Sequence, residues 1–140
     1  MASVAKRTRP WHQEAVYAAE NAALLETTYV FADIAEVERF VAQLQEDGLI
    51  DCFGVNFVKD RSKKWAGSAC KSTQTITLSR LDKRVVLHEL AHISTDEKYG
   101  IDCGHNQVWR REFLRLVRAA ISFPAYAELL NEYKARGLDQ

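Results

Sequence analysis

Apolar positions in this chain recur first at helical spacing, then at strand spacing, and then at helical spacing again. Before residue 50 the pattern predicts one helix from residue 10 to about 25 and a second from Asp33 to Gly48. Asp33 followed by Glu36 resembles a capping box, and Gly48 fits the C-terminal stop of a helix. The N-terminal third is therefore expected to form two helices.

Strand-like runs follow the second helix. Residues 53–58, 64–70 and 73–79 alternate or are rich in β-branched and aromatic types, and a shorter run lies earlier, at residues 27–31. Because the connections between the three later runs are short, we expect an antiparallel meander. The run at 73–79 is the expected edge strand, to which an extended peptide can add as a further strand.

Helical spacing returns after residue 80. Asp82 can cap a third helix, which is predicted to run through His92 or slightly beyond, followed by a polar loop at 94–104. A fourth helix is predicted at about 105–120 and a fifth from Ser122. The expected fold is α+β: a small, mostly antiparallel three-stranded sheet packs on the third helix, with two helices before and two after.

Size and charge narrow the class of protein. The chain has 140 residues, which suits one domain at 11–140 after a loose arm at 1–10. Its formal net charge is zero, which argues against a protein whose main task is wrapping nucleic acid. We find no membrane-length apolar run and no secretory signal, and Cys52 and Cys70 are expected as small core residues on strands. These features favour a cytoplasmic protein.

The main chemical signal is the sequence His88-Glu-Leu-Ala-His92. Residues four apart lie one turn apart on the same side of a helix, so His88 and His92 can present two imidazoles to one ion. Glu89 is offset from both and can serve as general base toward a water molecule that the metal activates. Because these three side chains are the polar groups of an otherwise apolar helix, a metal would also remove the cost of burying them.

A catalytic zinc ion normally takes a third protein ligand. The metzincin spacing fails, because positions 95 and 98 hold Thr95 and Lys98. His105 is the preferred candidate, since it follows a glycine at a predicted helix start. Other candidates remain open: Glu112, which can instead be a partner of a metal-bound imidazole, and Asp96, Glu97, Asp102 and Cys103.

These motifs resemble those of the SprT-like zinc metallopeptidases, especially the short actinobacterial and phage-type metallohydrolases. The resemblance rests on the segment 88–92 and on Gly104, His105, Trp109, Phe113 and Leu116. It implies a minimal zincin fold in which His88, His92 and His105 bind zinc and Glu89 is catalytic. The chain departs from the pattern at Asn106, where a glycine is frequent, and it lacks the zinc ribbon or other DNA-binding region of cellular members.

The sequence thus predicts a zinc metallopeptidase acting on a protein or peptide, with DNA-associated proteins as one substrate class. Tyr99 is a candidate oxyanion donor, and Tyr126 is another. Two alternatives remain: a metal-dependent hydrolase of a non-protein amide, as in deformylases, and a non-catalytic zinc adaptor that binds DNA or a protein.

A row of arginines on the fourth helix bears on the DNA question. Arg111, Arg115 and Arg118 share one side of that helix, and Arg110 is adjacent. Such a row can bind phosphates, but it is more often a solvated face. Nucleic-acid binding is therefore a weaker expectation than the metal site.

Overall fold

The computed structural model describes residues 10–24, 29–52, 54–59, 66–99 and 104–138, without the side chains of 10–12 and 96–99. Its helices are α1 (Pro10–Leu24), α2 (Ile34–Glu46), α3 (Lys83–Tyr99), α4 (Gln107–Ala120) and α5 (Phe123–Ala135). Its strands are β1 (Gly54–Phe57), β2 (Gly67–Cys70) and β3 (Thr75–Leu78). The predicted α+β class is confirmed, with two helices before the sheet and two after α3.

Capping side chains set the helix boundaries much as the sequence indicates. The Asp33 carboxylate accepts a hydrogen bond from the Glu36 backbone N–H at the start of α2 (2.9 Å). The Glu36 side chain reaches back to the N–H of Ala32 rather than to that of the cap residue. Asp82 caps α3 in the same way, by accepting from the N–H of Val85 (2.8 Å).

The sheet is mixed, which corrects the expected antiparallel meander. The strand order is β1-β3-β2, with β3 parallel to β1 and antiparallel to β2. β2 and β3 form a hairpin, whereas β1 and β2, which are consecutive in the sequence, lie on opposite sides of β3. β3 is therefore the central strand, and the prediction that it forms the edge was wrong.

Two further expectations change in the structure. Residues 29–31 form only a single bridge, between Val30 and Asp82, and no strand; residues 27 and 28 lie outside the described chain. Helix α3 continues to Tyr99, so a loop does not begin at residue 94. Within this extension, the Thr95 hydroxyl donates to the Ala91 carbonyl one turn back (2.7 Å).

The helices after the sheet build the rest of the core around α3. α3 packs on β2 and β3 and on α4, α4 packs on α5, and α5 packs on α1. The α3 segment 85–91 is buried throughout, as its apolar sequence predicts. Cys52 is buried as expected but lies two residues before β1, whereas Cys70 lies on β2 and is exposed. None of the described helices has the length and apolarity to cross a membrane.

Candidate metal centre

Three histidine side chains converge between α3 and the residue that precedes α4. His88 and His92 extend from one side of α3, and His105 lies two residues before α4 begins. The His105 Nε2 atom is 2.9 Å from the His88 Nε2 atom and 3.2 Å from the His92 Nε2 atom. Among the described residues, these three form a group that could hold a metal ion, with ligand atoms within 4.8 Å of one another.

The donor set and its spacing fit a tetrahedral metal. Two nitrogen ligands of one zinc ion lie roughly 3.3 Å apart, given Zn–N bonds of about 2.0–2.1 Å and tetrahedral angles. The distances that join His105 to the other two imidazoles are close to this value. Imidazole nitrogens suit zinc and similar transition metals, whereas magnesium and calcium prefer oxygen.

A buried carboxylate from α1 orients the first histidine. Both carboxylate oxygens of Glu20 lie 3.0 Å from the His88 Nδ1 atom, and Glu20 is only 1 % exposed. Since a carboxylate accepts hydrogen bonds, Nδ1 carries the proton and the Nε2 lone pair points into the cluster. Burial alone would lower the pKa of His88, but the charge and hydrogen bond of Glu20 outweigh it and raise that pKa.

The third histidine is fixed by the start of α4. The Asn106 side chain caps the helix by accepting from the N–H groups of Val108 and Trp109. Arg110, which is buried, donates to the backbone carbonyl of His105 (2.9 Å). Asn106 is therefore an N-cap that holds His105 directly before the helix.

Trp109 forms the floor of the cluster. Its ring centroid lies 4.6 Å from that of His88, 5.2 Å from that of His92 and 4.7 Å from that of His105. Phe113 stacks beneath Trp109, with both rings fully buried. This apolar floor excludes water from one side of the imidazoles. Burial, reinforced by the charges of His88 and His105, lowers the pKa of His92 well below its ordinary value.

Glu89 lies beside the cluster at the wall of an open cavity of about 420 Å³. The same cavity is lined by His88, by Tyr17 of α1 and by Gly67 of β2. A Cβ atom added at Gly67 would lie 3.2 Å from the Glu89 Cγ atom, so β2 approaches the glutamate closely because it has glycine there. Burial raises the pKa of Glu89; His88 opposes that shift and Glu20 adds to it.

Tyr17 brings a phenol to the opening of the cavity. Its ring stacks on His88 at 5.5 Å and meets the edge of His105 at 5.3 Å. Burial, together with the charges of Glu20 and Glu89, raises the pKa of Tyr17 to about 12. The hydroxyl therefore keeps its proton at neutral pH and can donate a hydrogen bond to a developing anion.

The remaining candidate ligands have other positions. Glu112 is buried, but its carboxylate accepts from the Ser94 hydroxyl and from Arg115, and it is not part of the described metal-binding group. Asp102 and Cys103 lie outside the described residues, as do the side chains of Asp96, Glu97 and Tyr99. Tyr126 stacks against Phe123 and Arg118 on α5 and the end of α4.

The arginine row divides into structural and exposed members. Arg115 is tied to the fold, because it also donates to the carbonyl of Leu49 (2.6 Å). Arg111 and Arg118 are exposed and line, with Lys134, a second cavity of about 440 Å³ between α4 and α5. Phosphate binding by this groove stays a prediction. Arg115 is left out of that prediction, because its guanidinium is held by the Leu49 carbonyl.

Glu20 and Tyr17 are the site residues that sequence reasoning missed. They lie three residues apart on α1, one turn of the same helix face, about 70 residues before the histidine motif. Helical spacing predicted the helix from residue 10 to about 25, but it gave no role to either of these side chains. A buried position occupied by glutamate was the available signal, since a buried carboxylate needs a partner.

Comparison with known proteins adds no relative. Neither a family model, nor a curated protein, nor a solved structure matches this chain. The functional argument therefore rests on the site itself.

Proposed function

We propose that this protein is a zinc-dependent peptidase. The observation that carries the proposal is the convergence of three imidazole nitrogens beside a buried glutamate at the wall of an open cavity. His88, His92 and His105 would hold the ion. A zinc ion bound there supplies a Lewis acid for the scissile carbonyl and lowers the pKa of water toward about 7.

The protein's own residues supply the proton transfers. Glu89 accepts the proton of the attacking water and later delivers it to the leaving amine, which suits a carboxyl group whose pKa is raised by burial. Tyr17 donates a hydrogen bond to the oxygen of the attacked carbonyl as negative charge develops there. This replaces Tyr99 and Tyr126 as the proposed oxyanion donor, because Tyr17 contacts two of the histidines.

The substrate backbone is proposed to lie along β2. β2 is an edge strand, and Ala66 and Gly67 line the cavity that contains Glu89. An extended peptide added to this edge would bring a peptide bond past the glutamate. The role first assigned to the run at 73–79 thus passes to its neighbour in the sheet.

Membership of the SprT-like metallopeptidases is part of the proposal. It is supported by the matching motif residues and by the position of His105 directly before a helix that carries Trp109 and Phe113. DNA-associated proteins are one substrate class among several in this proposal.

Substitution of the base tests the reaction. We expect Glu89→Gln to retain one zinc ion per chain and to lose hydrolysis of an unfolded protein substrate by at least about 100-fold. Zinc content is measured by elemental analysis and cleavage by gel and mass spectrometry. The matched control is Glu38→Gln, an exposed glutamate on α2, which should keep full activity.

Three results would redirect the assignment. Undiminished hydrolysis by Glu89→Gln would remove the proposed base. A zinc-loaded wild-type protein that cleaves a small formylated peptide, but no unfolded protein, would favour the non-protein amide hydrolase. A zinc-loaded protein with no hydrolytic activity, and a fourth protein ligand on the ion, would favour the adaptor.

A further inference from the structure

The groove between α4 and α5 lies away from the candidate metal centre. From α4 it is lined by Arg111, Leu114 and Arg118, which are three or four residues apart and therefore share one side of the helix. Trp109 and Phe113, whose rings face the histidines, lie on roughly the opposite side of α4, given about 100° per residue. The α4–α5 groove is thus a separate surface that the proposed peptidase reaction does not use.

α5 supplies the facing wall of the groove. Tyr126, Leu130 and Lys134 follow one another at four-residue intervals and line it from this helix. The Arg118 guanidinium lies 5.5 Å from the centroid of the Tyr126 ring, near the two-residue connection between α4 and α5. The other lining residues lie further from this connection along both helices, so the groove extends over roughly 10 Å, or two helical turns.

Exposed cations lie toward both ends of the groove. Arg118 is near the connection and packs on the rings of Phe123 and Tyr126, which limits where its guanidinium can point. Arg111 and Lys134 are exposed further along α4 and α5. No ion pair between described residues involves any of these three cations, and none of the described lining residues is acidic. Since the whole chain has a formal net charge of zero, this positive charge is local.

Apolar side chains occupy the middle of the groove. On each helix a leucine lies between the terminal lining residues: Leu114, which is buried, on α4, and Leu130, which is half-buried, on α5. A nucleic-acid backbone would be attracted by the cations but would leave these leucines unused. An amphipathic helix would use both features, because its apolar side fills such a groove and its charged residues meet the rim.

We propose that the α4–α5 groove binds an acidic amphipathic helix of a partner protein. The apolar side of that helix would cover Leu114 and Leu130, and its acidic residues would pair with the cations at both ends. Because Arg111 and Arg118 are two turns apart, acidic residues about seven positions apart on the partner helix would match them. This partner site does not depend on the proposed peptidase activity.

Binding of synthetic peptides tests the proposal. The probe is a fluorophore-labelled helical peptide of about 18 residues, with leucines along one side and glutamates about seven positions apart beside them. One control peptide has the same composition in scrambled order, and another has lysine in place of each glutamate. Fluorescence anisotropy is measured with the full-length Glu89→Gln protein, so that the proposed reaction leaves the peptides intact. The probe should bind about tenfold more tightly than either control.

Substitutions in the same background locate the binding site. Arg111→Glu and Arg118→Glu should each weaken binding of the probe by about tenfold, because they set like charges against its glutamates. The matched control is Arg39→Glu, at an exposed arginine on α2, which should leave binding unchanged. Leu130→Ala should also weaken binding, since it removes part of the apolar floor. If Leu130→Ala does not fold, the two exposed arginines keep the test decisive.

Several results would overturn the inference. They are equal binding of the three peptides, no binding of any, or unchanged binding in Arg111→Glu and Arg118→Glu or in a folded Leu130→Ala protein. Tighter binding of a DNA duplex than of the probe, with the same dependence on both arginines, would assign the groove to nucleic acid instead. A dimer detected by sedimentation equilibrium and dissociated by Arg118→Glu would assign it to a second copy of the chain. Loss of peptidase activity would not bear on any of these results.

Discussion

The histidine cluster depends on side chains that hold the imidazoles from behind. Glu20 accepts a hydrogen bond from the Nδ1 atom of His88, Arg110 donates to the backbone carbonyl of His105, and Trp109 contacts all three rings. Each of these contacts limits how far an imidazole can rotate. The site is therefore expected to be ordered before a metal binds, which reduces the entropic cost of binding.

The support from Glu20 can be measured as metal affinity. We expect Glu20→Gln to weaken zinc binding by about 10–100-fold, because a neutral amide is a poorer acceptor for the Nδ1 proton of His88. Competition with a chromophoric chelator gives the dissociation constant. Glu112→Gln is the matched control, since Glu112 is also buried but pairs with Ser94 and Arg115; equal losses in both variants would show a general packing effect.

The proposed role of the Tyr17 hydroxyl as oxyanion donor can be tested by substitution. If this hydroxyl stabilises the oxyanion, Tyr17→Phe should lower kcat by roughly 100-fold and leave zinc content unchanged. Steady-state kinetics on a quenched peptide provide the measurement. Tyr126→Phe and Tyr99→Phe should keep wild-type kcat; a large loss in Tyr99→Phe alone would return the role to the residue first predicted.

At the scale of elements, the edge strand β2 brings the sheet to the site. The Ser79 N–H donates to the Ala66 carbonyl (2.9 Å), so the backbone groups of 66, 68 and 70 face β3. The backbone groups of Gly67 and Ala69 alternate with these and face outward. In the proposed function, a peptide that extends the sheet would pair with these groups.

Proline substitutions can distinguish the N–H groups of β2 that face β3 from those that face outward. Ala69→Pro removes an outward N–H and should raise KM for peptide substrates by about tenfold, with a small change in melting temperature. Ser68→Pro removes an N–H that faces Thr77 and should lower the melting temperature instead. An unchanged KM in a folded Ala69→Pro protein would argue against substrate binding along β2.

Elements were largely predictable from the sequence, but their pairing was not. The caps Asp33, Asp82 and Ser122 act on neighbouring N–H groups and leave local signals. In the order β1-β3-β2, the last of the three strands lies between the two earlier ones. The periodicity of the sequence does not predict this arrangement. Similarly, His88 and His92 are fixed by helical spacing, whereas their contacts with His105 and Glu20 depend on how separate helices pack.

At the scale of the whole molecule, the candidate metal centre lies where three helices meet. Ligands come from α3 and the start of α4, and the supporting carboxylate comes from α1, which packs on α5. A metal that binds only the folded chain would therefore stabilise all of these helices together.

Thermal unfolding tests this coupling. With zinc at about 1,000 times its dissociation constant, the folded state gains about 4 kcal/mol. That corresponds to a rise in melting temperature of roughly 10 °C for a chain of this size. A chelator should reverse this rise in melting temperature, magnesium should not produce it, and His105→Ala should largely lose it. A folded protein whose melting temperature does not change with zinc would contradict the proposed metal site.

Because Glu20 and Tyr17 lie on the first helix, the histidine motif would not function when transferred without that helix. A fragment spanning only α3 and α4 would retain every proposed ligand and the proposed base, yet would lack the groups that aim His88 and meet the oxyanion. Transplanted into another scaffold, such a fragment should capture zinc loosely and turn over no peptide. The proposed activity would require residues that are far apart in the sequence. It would therefore arise only after the chain has been synthesised through α4 and α1 has packed beside the histidines.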